Sequence, residues 1–201
     1  MFSSNATADA VSVGVRSYVA ARLDESKACI HEAAHAVSGR KLGFPVKWLS
    51  IDPDFIKNDS IAIATQNDWS SAVCMTIASP RLGPILNRRR MISMEDKDTV
   101  LGYGVVTMAG PIAEKHYDPG TYDIGTASGD VVKLAGLLSC VGTRVFERKK
   151  LWRNIIKATT SFVNGNWPAI QMVASSLTKH RTIMEDELDA IIAAFGNEVV
   201  V

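Results

Sequence analysis

Five consecutive residues carry the most readily identified chemistry in this sequence: His31-Glu32-Ala33-Ala34-His35. They fit the pattern H-E-x-x-H, in which two histidines four positions apart lie one above the other on a single face of a helix. Two imidazoles can then bind one metal ion from a single rigid element. The glutamate lies beside the ion, where its carboxylate can take a proton from a bound water. The motif therefore predicts one zinc ion per chain, with His31 and His35 as ligands and Glu32 as general base.

A catalytic zinc site also needs a third protein ligand and one position left for water. In one known pattern the third ligand is a histidine six residues after the second, but that position is Lys41 here. The ligand must therefore come from farther along the chain, and spacing alone does not choose among the possibilities. The candidates are Glu95, Glu114, His116 and Asp130.

The elements that position these residues are mostly helical. Residues 17–37 have few helix breakers and carry apolar residues at helical spacing. Alternating apolar and polar residues predict strands over 46–51 and 60–66, which could pair as a small sheet. Further helices are predicted over 73–77, 95–116, 130–150 and 155–163, from Trp167 onward, and after a capping box formed by Thr182 and Glu185.

This arrangement predicts a mainly α (α+β) fold, a helical zincin-like domain with a small β-sheet or hairpin next to the motif helix. Residues 1–15 are small and polar and are expected to form a loose tail. Residues 16–201 are expected to form a single domain, because they contain no repeat, low-complexity tract or clear linker.

The composition is that of an ordinary globular protein, with 47% hydrophobic residues and a net charge of +1 over 201 residues. A net charge this small creates no global field that attracts nucleic acid or an anionic membrane, so neither is expected as a partner. The three cysteines lie far apart and suggest no disulfide framework. Without a signal-peptide pattern or a long apolar segment, the protein is expected to be cytoplasmic.

The downstream sequence resembles the peptidase domain of FtsH-type ATP-dependent zinc metalloproteases. Those domains carry His-Glu-Ala-Gly-His on a helix, followed by Gly-Gly-Arg-Ala-Ala-Glu-Glu, which is echoed here by MAGPIAEKH at 108–116. A Thr-Thr-Gly-Ala-Ser-Asn-Asp type segment follows, echoed by GTASGD at 125–130, and NWPAIQMVASSLTKHRTIMEDELDAII is similar to the family's last helix pair. The resemblance covers roughly residues 25–195. It implies that Asp130 is the third zinc ligand.

The resemblance also has clear limits. Ala34 replaces the usual glycine, Pro111 and Ile112 replace Arg-Ala, and Lys115 replaces a glutamate. The family's membrane helices and ATPase are absent from the sequence, which contains no Gly-rich phosphate loop followed by Lys-Ser/Thr. The expected substrates are therefore peptides or unfolded proteins, unless a separate unfoldase assists. The oligomeric state is left open.

Two further roles complete the predicted site. Glu114 could orient a ligand histidine from outside the metal's own ligand set, although a surface or packing role is equally compatible with the sequence. An extended substrate could pair with an exposed strand edge, and the candidate residues are Ile61, Ala62, Ile63, Ala64 and Thr65. The main hypothesis is thus a zinc metallopeptidase. The alternative is a zinc-stabilised binding or regulatory domain of the same fold that cleaves nothing.

Overall fold

Helices form most of the protein, as predicted. The structure is a computed structural model that describes residues 25–58, 72–76, 82–88, 93–120, 128–141 and 144–195. Within these residues eight helices accompany one three-stranded antiparallel sheet, which confirms the mainly α (α+β) fold. The predicted tail at 1–15 lies outside the described residues. In chain order the elements are α1 (25–41), β1 (Val46–Ser50), α2 (Pro53–Asn58), β2 (Val73–Thr76), α3 (Leu82–Arg88), α4 (Met94–Tyr117), α5 (Ser128–Val141), α6 (Val145–Gly165), α7 (Trp167–His180), β3 (Thr182–Met184) and α8 (Glu185–Ala193).

The sheet is built around β1, which pairs with β2 on one side and β3 on the other, both antiparallel. The predicted strand at 46–51 is confirmed as Val46–Ser50, and within it Leu49 lies opposite Cys74 and Ile183. The predicted helix over 73–77 is wrong, because Val73–Thr76 pairs along β1 as a strand. Both ends of this segment are β-branched, which favours extended backbone once a partner strand is present. The predicted strand at 60–66 lies outside the described residues.

The predicted capping box before the last helix is also wrong. Thr182 belongs to β3, and its Oγ1 lies 2.7 Å from Ser50 Oγ in β1. The helix begins at Glu185, with Met184 at its N-cap and no side-chain capping bond. The Glu185 carboxylate instead accepts a 2.7 Å hydrogen bond from Arg40 in α1. Both side chains that could have capped this helix are engaged by partners distant in sequence.

The long helix predicted over 130–150 is interrupted, so that α5 ends at Val141 and α6 begins at Val145. Gly142 between them disfavours a continuous helix. The backbone N–H of Arg144 donates to Glu147 Oε2 at 3.1 Å, which stabilises a new helix start. The segment predicted as a separate helix at 155–163 is the second half of α6.

The longest helix, α4, agrees closely with the predicted span of 95–116. Its start is fixed by a capping box, because Ser93 Oγ accepts from Asp96 N at 3.1 Å and the Asp96 carboxylate accepts from Ser93 N at 3.3 Å. A side chain at Gly104 would lie 2.5 Å from Ile155 Cδ1, so this glycine allows α4 to pack closely against α6. The glycines of α4 therefore allow close helix packing and do not interrupt the helix.

Among the described residues, two large clusters of buried apolar side chains form most of the core, and a small third one contains Trp48 and Ile56. One packs α1 against the sheet, α7 and α8, with Val37, Leu49 and Ile170 among its members. The other packs α3, α5 and α6 around the first half of α4, with Leu134 and Ile155 fully buried. None of the helices in the described residues is both long and apolar enough to cross a membrane.

Candidate metal centre

The helix α1 places the two motif histidines side by side. Because they are four residues apart, their rings meet edge to face with centroids 4.6 Å apart. The two Nε2 atoms lie 2.9 Å from each other. His35 is buried and His31 nearly so, because small alanines on α1 allow neighbouring helices to pack closely around them.

Asp130 completes a group of three from the first turn of α5. Its Oδ2 lies 3.0 Å from His31 Nε2 and 3.4 Å from His35 Nε2. Among the four candidates for a third ligand, the structure brings this residue into the group with the two histidines. Glu95 is exposed at the start of α4, and His116 is exposed with its ring 4.3 Å from that of Trp167. These two candidates do not join the group.

Both imidazoles are oriented from outside the group through their Nδ1 atoms. His31 Nδ1–H donates to Glu114 Oε1 at 2.6 Å, and His35 Nδ1–H donates to the carbonyl oxygen of Val106 at 2.6 Å. A carboxylate and a carbonyl can only accept, so each neutral imidazole turns the lone pair of its Nε2 inward. The predicted orienting contact of Glu114 is therefore present in the structure. The contact to Val106 was not foreseen, because a backbone carbonyl leaves no signal in a sequence motif.

Three inward-facing acceptors can hold a cation between them. For ligands about 2.0–2.1 Å from an ion at tetrahedral angles, ligand atoms are about 3.3 Å apart. The three distances here, from 2.9 to 3.4 Å, are close to that value. His31, His35 and Asp130 thus fit a metal ion.

A proton can take the place of the ion in the same group. Burial alone would lower the pKa of His31, but hydrogen bonds to Asp130 and Glu114 outweigh it and raise that pKa to about 10. Burial alone would raise the pKa of Asp130, but the charges of His35 and His31 and their hydrogen bonds lower it far below its usual range. Positive charge at this point is therefore strongly favoured, whether a proton or a metal ion supplies it.

Gly110 forms one wall of the centre, a role that sequence reasoning missed. A Cβ at this position would lie 2.5 Å from Nε2 of both His31 and His35. Such contacts require the rings to move, so α4 approaches the ligands this closely only because residue 110 has no side chain. The adjacent small residue Ala109, in a helix facing the alanine-rich α1, was the available signal for this close approach.

Lys133 is a second residue that the sequence reasoning missed. Its Nζ donates to Asp130 Oδ1 at 3.2 Å, one helical turn along α5, which leaves Oδ2 to face the histidines. The side chain is 67% exposed, so the ammonium group lies at the solvent side of the centre. The i, i+3 spacing from an expected ligand was the signal in the sequence.

The predicted general base, Glu32, is buried beside the centre. It is 9% exposed, and within the described residues its carboxylate forms no hydrogen bond or salt bridge. Its negative charge contributes to raising the pKa of both His31 and Lys133, which places it near both groups. A buried carboxylate without a partner is costly, and such groups are found where chemistry requires them.

The proposed substrate-binding edge, Ile61 to Thr65, lies outside the described residues. The sequence matches no protein-family model and no curated protein. The likeness to FtsH-type peptidase domains is therefore carried by the motifs alone.

Proposed function

We propose that this protein is a zinc-dependent metallopeptidase that hydrolyses peptide bonds in peptides or unfolded proteins. The observation that supports this most is the convergence of His31 Nε2, His35 Nε2 and Asp130 Oδ2 beside the buried carboxylate of Glu32, which has no partner among the described residues. This set provides three ligands and a base. It matches what a metal-dependent hydrolase needs and what the FtsH-type resemblance implies.

The donor set favours zinc over the common alkaline-earth ions. Mg²⁺ and Ca²⁺ prefer oxygen ligands, whereas two imidazoles and one carboxylate with a fourth position for water suit Zn²⁺. When bound there, Zn²⁺ would supply Lewis-acid activation of a water molecule and of the substrate carbonyl.

The protein's own residues would then move the protons. Glu32 would accept a proton from the attacking water at its carboxylate, and later pass that proton to the nitrogen of the leaving amine. Glu114 and the Val106 carbonyl would each accept the Nδ1–H of one imidazole and so keep its Nε2 turned inward. Lys133 would bind the outer oxygen of Asp130 and so direct the other oxygen inward.

The decisive experiment replaces Glu32 by glutamine. Glu32→Gln should keep the parent's zinc content and lower the rate of casein cleavage about 10²–10⁴-fold, the usual contribution of a general base. The matched control is Glu25→Gln on the same helix, where the carboxylate pairs with Arg181 at 3.5 Å, and it should cleave like the parent. Cleavage by Glu32→Gln at the parental rate would show that the proposed mechanism is wrong.

A second candidate function also has an observation in its favour. His31 and Asp130 lie 99 positions apart on α1 and α5, so an ion between them would stabilise the fold whether or not any peptide is cleaved. A zinc-stabilised binding domain predicts that zinc raises the thermal unfolding temperature and that casein stays intact. Cleavage that depends on Glu32 excludes this candidate.

A further inference from the structure

The outer face of α6 is strongly basic. Ile155, Thr159 and Phe162 turn one side of this helix into the core. On the opposite side, at helical spacing, lie four exposed cations that we call the basic stripe: Lys149, Lys150, Arg153 and Lys157. Residues 144–157 contain six basic residues and one acidic residue, a net charge of +5, whereas the whole chain has +1. An overall charge near zero therefore conceals a strongly basic region.

The four cations of the basic stripe are all exposed. Over the described ranges, none of the four forms a salt bridge. Cations elsewhere do: Lys27 pairs with Asp118 at 3.4 Å, and Arg40 pairs with two carboxylates. The basic stripe thus presents its charge to whatever approaches from solvent.

Exposed apolar side chains lie at the N-terminal end of the same helix. Val145 and Phe146 are 60% and 61% exposed, and Met94 at the start of α4 is 67% exposed. The two helices run in the same direction, because Gly104 of α4 lies against Ile155 of α6 and His116 lies against Trp167, which follows α6. Both helices therefore begin at one end of the molecule. We call these three residues the apolar tip.

We propose that the basic stripe and the apolar tip together dock the protein on an anionic lipid surface. Cations attract acidic headgroups, and apolar side chains beside them can enter the boundary between headgroups and acyl chains. Phe146 lies in line with Lys150, Arg153 and Lys157, so α6 would lie along the membrane plane. The carboxylates at the apolar tip are Glu95, Asp96, Asp98 and Glu147. The attraction to lipid is therefore strongest along α6, away from the tip.

Two other partners fit these features less well. A nucleic acid would use the cations, but the aliphatic side chains of Met94 and Val145 have no role against phosphate or stacked bases. A second copy of the chain, related by two-fold symmetry, would bring two basic stripes together and repel. An anionic bilayer uses both features at once. The net charge of +1 does not exclude such a surface, because net charge averages over the whole chain.

The test is binding of the full chain to sedimented vesicles of phosphatidylcholine with 30% phosphatidylglycerol, compared with pure phosphatidylcholine. The triple variant Lys150→Gln/Arg153→Gln/Lys157→Gln should bind acidic vesicles about a hundred-fold more weakly, since each cation near such a surface contributes about five-fold. Phe146→Ser should also weaken binding, and this loss should persist at salt concentrations that screen the charges.

The matched control removes three other exposed cations, in Lys47→Gln/Lys57→Gln/Lys179→Gln, and makes the same change in net charge. It should retain most of the parental binding. A chelator should leave vesicle binding unchanged, because the surface is separate from the metal centre. The proposal is overturned if the parent does not bind acidic vesicles at low salt, or if both triple variants lose vesicle binding to the same extent. It is also overturned if the parent binds DNA or RNA through the basic stripe but binds no vesicle.

Discussion

Two clusters of charged and polar side chains lie along α1, and they are neutralised in different ways. Near the end of the helix, Arg40 donates to Asp189 Oδ1 and to Glu185 Oε1, each at 2.7 Å, with a further close contact to Asp189. In the middle of the helix, His31 and His35 face Asp130 across 3.0 and 3.4 Å. In the first cluster the chain itself provides the cation for both carboxylates. In the second, Lys133 contacts only the outer oxygen of Asp130, and no side-chain cation of the described residues lies among the three inward-facing acceptors.

This difference separates a structural ion pair from a group that could hold a metal ion. A guanidinium satisfies two carboxylates at a half-exposed surface, where nothing further is needed. The buried group is satisfied only when a proton or a metal ion joins it, so its state depends on what the solution provides. Variants of the two clusters should therefore differ in what they affect: the buried one controls metal binding, and the exposed one only stability.

The largest effect is expected from Gly110→Ala. Its methyl group would lie 2.5 Å from both Nε2 atoms, so zinc affinity should fall more than a hundred-fold, and the free energy of unfolding should fall by about 1–3 kcal/mol. The control is Gly136→Ala on α5, where an added Cβ meets nothing within 4 Å and should stabilise by up to about 1 kcal/mol. Zinc competition titrations measure the zinc affinity, and denaturant unfolding measures the free energy of unfolding. Parental zinc affinity in Gly110→Ala would refute the packing argument.

A smaller effect is expected from Glu114→Gln. The variant keeps an oxygen that can accept from His31 Nδ1 but removes the negative charge, so zinc affinity should fall about 10–100-fold. The matched control in the exposed cluster, Glu185→Gln, should leave zinc affinity unchanged. An equal loss of zinc affinity in both variants would mean that the two clusters are not independent.

The smallest effect is expected from Arg40→Met. Its partners Glu185 and Asp189 are nearly half exposed, so solvent screens the pair, and the free energy of unfolding should fall by about 1 kcal/mol or less. Zinc affinity should not change. Urea unfolding followed by circular dichroism is sufficient, and a loss above about 3 kcal/mol would show that Arg40 does more than pair with surface acids.

The parts of the centre that the sequence predicted are those fixed by local geometry. The helical repeat alone places His31 and His35 on one face, and the structure brings their Nε2 atoms within 2.9 Å. Asp130 was predicted as the third ligand only through the resemblance to FtsH-type domains, because residue spacing did not choose among the four candidates. Gly110 and the Val106 carbonyl depend on which helix packs against α1, and no pattern within a single segment encodes that.

The same division between local and long-range information applies to the fold. The capped α4 was predicted nearly to its ends, because its start depends on neighbours in sequence. The short strands β2 and β3 were missed, because each is extended only through pairing with β1. The basic stripe was missed for a related reason, since a whole-chain charge of +1 contains no information on where the charges lie.

The distance along the chain between the ligands has a consequence for the order in which the protein matures. During synthesis His31 emerges 99 residues before Asp130, so a nascent chain offers an ion only two imidazoles on one helix. A third ligand becomes available only after α5 has been made and has docked. An ion bound by all three would then act as a late cross-link, and closing a loop of about 100 residues removes up to about 4.7 kcal/mol of unfolded-chain entropy. Metal binding by all three ligands would thus come at the end of folding, and it would stabilise the folded state.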